Sequence, residues 1–191
     1  VRAWRPRGVD GRWGWVLFDL DLWAPAHENT VQRMSLAVTP GTPFVPQLLE
    51  ENSLQELLLS RMSALLAGPL APERMNERLD ALLARYAKAL LHDHGIWQDS
   101  LSGALPPDGS QEVLSAFLQD RPARVLHQLA SHTGHDLVTM RMTCDPPEGG
   151  SLQVERVDLG SAPDPSSHFA GIPLHIVAVP RPGWRHTGWK G

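Results

Sequence analysis

The sequence predicts an α+β fold: an N-terminal β-hairpin, then a helical region, then a small antiparallel β module. Three observations carry this expectation. Two short apolar runs flank "RGVDG" near the start. A helical apolar period of about 3.6 residues runs through the middle of the chain, and beyond Gly134 the pattern changes to strand alternation.

The first run and the second, within "AWRPRGVDGRWGWVLFDLD", are joined through Asp10-Gly11, a pair that accepts positive φ and favours a hairpin. The Pro- and Gly-rich "TPGTPFVPQ" further on cannot form a regular helix. "NSLQELLLSRMSALLAG" opens with Ser53 and Glu56 in capping-box spacing and stops at Gly68-Pro69. The next helix begins at Pro72, where a missing N–H costs nothing, and Met75, Leu79, Leu82, Leu83, Tyr86 and Leu90 keep its apolar period. "SQEVLSAFLQDRPARVLHQLASHTG" predicts one or two more helices, with Pro122 as a kink or restart and Gly134 as the stop. After it come "DLVTMRMTC", "SLQVERVDL" and "GIPLHIVAV" as three strands, and "WRHTGW" as a fourth. "GSAPDPSSH" reads as a surface loop. Two units are expected, 1–134 and 137–191, and the piece 136–191 is expected to fold by itself.

Composition narrows the classes. The 191 residues, 42% hydrophobic and 20% charged, are those of a globular chain rather than a disordered one. A net charge of -4 gives no reason to expect a nucleic-acid partner. No apolar run approaches the roughly 18 residues of a membrane helix. Cys144 is the single cysteine, so no internal disulfide forms and the redox compartment stays open. The chain starts without Met and directly in strand-like sequence, which reads as a piece of something longer.

Chemistry concentrates in "GRWGWVLFDLDLW". Asp19 and Asp21 stand two apart after an apolar run, so on a regular strand both carboxylates face one side. Such a pair can bind a hard divalent cation through oxygen, and the cation can hold phosphate oxygens. The plainer alternative is a strand that ends in solvated acids. His92 and His94 lie near a helix end, where i and i+2 do not share a face, and His127, His132 and His135 sit where the helices finish. Ordinary structural roles account for all five. No Ser-His-Asp order, Gly-rich phosphate loop or Cys/His metal spacing is present.

The order of the pieces resembles a known family. "WRPRGVDGRWGWVLFDLDLW", "ENTVQRM", "LLEENSLQELLLSRMSALLAGPLAPERMNERLDALLARY", "HDHGIW" and "FLQDRPARVLHQLASHTG" are together similar to the C-terminal half of a CotH-type kinase domain, the spore-coat protein H-like atypical kinases of bacteria. The resemblance spans Trp4 to Gly134. It implies a kinase C-lobe-like helical region, with Asp21 in the place that holds the metal on ATP phosphates and Asp19 as a second ligand. The implied cofactor is Mg²⁺ or Mn²⁺ with ATP, and Asp21 is the counterpart of the metal-binding Asp of ordinary kinases. Leu22 and Trp23 stand where family members often have Phe-Gly. The catalytic Asp and Asn are expected upstream of Val1. The two lysines, Lys88 and Lys190, sit in places that cannot supply the N-lobe phosphate clamp. "PPEGGSLQV" and "HFAGIPLHIVAVPRPGWRHTGWKG" resemble a divergent InlB B-repeat, a small β module of bacterial surface proteins, over Leu137 to Gly191.

The resemblance implies that the parent protein is a secreted or surface phosphotransferase acting on Ser or Thr of protein partners, while the chain by itself lacks a complete active site. The alternative is a non-catalytic surface or adhesion module whose degenerate kinase-like half supports the β unit. A third reading, the metal and nucleotide-sugar site of a glycosyltransferase, suffers because helices followed by a small β unit are not the α/β alternation such enzymes need.

Overall fold

The computed structural model describes residues 2–5, 7, 11, 14–16, 27–35, 45–100 and 106–191. The fold is α+β. Strands β1 (Arg2–Trp4) and β2 (Gly14–Val16) pair antiparallel with Ala3 opposite Trp15, the hairpin expected around Asp10-Gly11. Short helices α1 (Thr30–Ser35) and α2 (Val45–Glu50) lead to the long helices α3 (Asn52–Ala67), α4 (Pro72–Trp97) and α5 (Pro107–Thr133). Five strands follow: β3 (Leu137–Met140), β4 (Gly150–Val154), β5 (Val157–Gly160), β6 (Ser166–Phe169) and β7 (Ile176–Pro180). They form two antiparallel sheets, β3-β6 and β5-β4-β7.

Helix α3 starts two residues earlier than the capping-box spacing suggests. Glu51 holds the extended backbone of an N-cap, and its carboxylate accepts from Leu54 N–H at 3.0 Å and from the Ser53 hydroxyl at 2.5 Å. A carboxylate there also meets the positive end of the helix. The Ser53 hydroxyl, then the Leu54 amide, hold the Glu51 carboxyl below its usual range. Ser53 is already inside the first turn, which is why it supports the cap rather than being it. Helix α4 begins at Pro72 as expected and packs along α5, where the Ser115 hydroxyl donates to Asn76 Oδ1 at 2.7 Å and Gln111 donates to Asp80 at 3.0 Å. Helix α5 runs unbroken through Pro122, so the proline does not restart it. Proline cannot donate to the carbonyl of Leu118, a loss that packing of the next turns, with Leu126 and Leu129 buried, offsets. Gly134 closes α5 at φ 75°, with its N–H on Ala130 O at 2.9 Å.

The β region departs from its expected outline at three places. "SLQVERVDL" is a hairpin rather than one strand, because Glu155 and Arg156 both take positive φ, 50° and 63°, in a two-residue turn. Neither is Gly or Asn, so the usual signal is missing. Tertiary bonds hold the turn instead: Arg61 on α3 donates to Glu155 O, Glu155 N donates to His175 O at 2.9 Å, and His175 N donates to Glu155 Oε1 at 2.7 Å. Ser166–Phe169, partly within the stretch read as a loop, is a strand paired to β3. "WRHTGW" forms no strand; this tail lies beside β4 and β7.

Two buried clusters hold these parts together, and α3 belongs to both. Leu59 joins Val31, Leu126, Leu129, Phe169 and Ile172 in one, and Ala64 joins Val154, Val157 and Leu159 in the other. Each cluster therefore crosses the junction near Gly134 at which two units were expected to divide. Between them lies a buried polar joint. His168 on β6 is 1% exposed, with Nδ1 3.0 Å from Ser63 Oγ on α3 and Nε2 2.9 Å from Ser166 Oγ.

Candidate functional site

Asp19 and Asp21 lie outside the described residues, so the site is approached through the elements on either side of them. Strand β2 leads the chain toward these acids and is fixed by its ladder to β1, with Val16 opposite Arg2. After the two acids the described residues resume at His27, and Glu28 is anchored to α5. The backbone carbonyl of Glu28 accepts from Arg121 Nη1 at 2.9 Å and from Gln128 Nε2 at 3.2 Å. Arg121 also donates through Nη2 to the Thr30 hydroxyl, at the start of α1. Asn29 caps α1, its Oδ1 accepting from Gln32 N–H at 2.9 Å.

Charge is arranged around the same residue. Arg33 pairs with Glu28 Oε1 at 2.6 Å, so one guanidinium binds the carboxylate of Glu28 and a second binds its carbonyl. Oε2 of Glu28 and Oε1 of Gln128 are buried and have no hydrogen-bond partner among the described residues. Buried acceptors of this kind need a donor or a cation. Glu28, Arg121 and Gln128 were not singled out from the sequence as site residues. Their signal is positional only: Glu28 follows the acidic segment by seven places, and Arg121 precedes the one proline inside α5.

The histidines take structural places. His92 is exposed on α4 and His94 half-buried, while His127 is exposed on α5. His132 Nε2 lies 3.3 Å from Ser35 Oγ, and His135 Nδ1 lies 3.2 Å from Ala170 O. Among the described residues no group of three or more His, Cys, Asp or Glu side chains gathers as a metal site. No helix among them is long and apolar enough to cross a membrane.

These features define an α+β protein in which a hairpin runs through an acidic segment into a helical lobe, and the exit from that segment is tied to the lobe's last helix. The family model described as CotH kinase protein matches residues 2–125, well over half of the chain. The chain belongs to this family. The matched region takes in Asp19, Asp21, Glu28 and Arg121 and stops before β3. No curated protein and no solved structure matches the chain.

Proposed function

We propose that this chain supplies the metal-binding segment and helical lobe of a CotH-type protein kinase. The parent enzyme transfers phosphate from ATP to Ser or Thr of a protein partner in a secreted or cell-surface setting of a bacterium. The observation that carries the reading is the family match running through Asp19 and Asp21. Asp21 is the first ligand and Asp19 the second for Mg²⁺ or Mn²⁺, which when bound neutralises charge on the ATP phosphates. The bonds of Arg121 and Gln128 to Glu28 support the reading, since a metal-binding loop needs a rigid exit to hold its carboxylates in place.

Kinases place the phosphate-binding lysine on a strand of the other lobe, whereas Lys88 is exposed on α4 and Lys190 is in the C-terminal tail. The chain by itself is therefore expected to transfer no phosphate. In the full-length parent, Asp21→Asn should lower divalent-metal-dependent phosphate transfer by at least about a hundredfold, roughly 3 kcal/mol of transition-state stabilisation, with the thermal midpoint unchanged. Full activity in that variant would remove the metal role.

One observation favours a second reading. The β module shares both of its buried clusters with α3. A kinase-like half serving only to support a surface or adhesion module would be built this way. Under that reading the full-length parent neither binds ATP nor transfers phosphate, with or without Asp21.

A further inference from the structure

The β module carries a cleft outside the family match. Its volume is about 360 Å³, and it is bounded by β4, β7, the turn before β4 and the tail from Trp184 to Lys190. That size is at the small end of ligand pockets, which run to about 300–1,000 Å³, and suits a mono- or disaccharide.

Two indoles form its rim, and both stay open: Trp184 is 47% exposed and Trp189 59%. Trp184 is set by local geometry. Its N–H donates to Arg181 O at 2.9 Å across Pro182-Gly183, with Gly183 at φ 87° as the third residue of such a turn requires. The ring then rests on Gly149, where a β-carbon would meet Trp184 Cε3 at 3.1 Å. Trp189 is steadied by His186, whose ring centroid lies 4.9 Å away. Large exposed aromatic faces held in place are costly to leave in water and are suited to a flat partner.

Charge narrows the partner. From Pro165 to Gly191 the sequence has no Asp or Glu and carries Arg181, Arg185 and Lys190, in a chain of net charge -4. Arg185 and Lys190 line the cleft, and neither forms an ion pair or hydrogen bond with a described residue. Asp145 is the one acid in the lining. Two cations call for an anion. An acceptor in the same lining disfavours a ligand bearing charge all round, such as a phosphate ester, and suits one that also offers hydroxyl donors.

We propose that this cleft binds an acidic saccharide, a sugar ring stacked on Trp184 or Trp189 with its carboxylate at Arg185 and Lys190 and its hydroxyls toward Asp145. The test uses the whole chain and digalacturonic acid as probe, with maltose as the neutral disaccharide and AMP as the stacking anion. Binding is read by calorimetry and by tryptophan fluorescence. Digalacturonate should bind with Kd on the order of 1 mM or tighter and perturb the indole emission. The Arg185→Gln/Lys190→Gln double variant should weaken it about tenfold, and Trp184→Ala should do the same, with thermal midpoints retained. Equal binding of maltose, tighter binding of AMP, or no binding up to about 10 mM digalacturonate would each overturn the assignment. So would undiminished binding by the double variant, whose two exposed side chains leave the fold intact.

Discussion

Ser63 donates its hydroxyl proton to Ser60 O at 2.9 Å, so its oxygen is left to accept from His168 Nδ1–H. Nε2 is then the bare nitrogen, and the Ser166 hydroxyl donates to it. This network satisfies a neutral imidazole, and burial lowers the His168 pKa further below the ordinary value of about 6.5. The unfolded chain therefore binds the extra proton first as pH falls. Stability from this residue is complete above about pH 6.5 and declines between there and the lowered folded-state pKa. Thermal midpoints taken from pH 8 to pH 5 should fall more steeply for the native chain than for His168→Gln. Parallel profiles would show that His168 does not titrate with folding. Nothing in "SSHF" distinguishes this histidine from the other eight, because its two partners lie on a strand and a helix more than a hundred residues apart.

At the scale of elements α3 decides the most. It is legible as a helix from its apolar residues and its Gly68 stop, yet its two-sided burial is not, since one sequence period cannot say how many neighbours a helix has. Gly68 illustrates the difference. Read from sequence it is a helix stop, but in the structure it is also the point where α3 meets β5. A β-carbon there would lie 2.8 Å from Val157 Cγ1 and 2.9 Å from Leu159 Cδ2, both on buried side chains. Gly68→Ala should destabilise the chain by about 1–3 kcal/mol through overpacking. Urea unfolding checks it, and a variant as stable as the native chain would mean that β5 moves away without cost. The split of "SLQVERVDL" into β4 and β5 has the same origin: Arg61 of α3 and the strand-leading His175 hold a turn that local sequence does not announce.

For the whole molecule the question is whether the change of period near Gly134 marks two independent units. The β region buries Phe169 and Ile172 against Leu59, Leu126 and Leu129, and Val154, Val157 and Leu159 against Ala64. A β module cut away at Asp136 would expose all five of its residues in these clusters and leave His168 without Ser63. So short a domain has only a few kcal/mol to lose, and it has no disulfide. Expressed alone, 136–191 should give a poorly dispersed amide spectrum, while 52–191, which restores α3 to α5, should give a dispersed one. Good dispersion from the short piece would make the module self-sufficient.

The sequence alone determined the fold class, the hairpin, the helices at the places of α3 and α4 with the Pro72 start, a last helical stretch stopping at Gly134, and the family to which the chain belongs; that this last stretch is one helix came from the structure. The readings from sequence rest on periodicity, end signals and the order of motifs, all of which are local or linear in the chain. The sequence also marked Asp19 and Asp21 as the residues whose chemistry suits a metal. Only the tertiary structure decided that α3 serves both sets of strands, that Glu28 is held by Arg121 and Gln128 from the last helix, and that His168 is a buried joint. It also brought Trp184, Trp189, Arg185 and Lys190 around one cleft with Asp145. The physical reason is the same in each case. These contacts join residues distant in the chain, and a residue's own neighbours carry no record of which remote group will satisfy its charge, its hydrogen bonds or its apolar face.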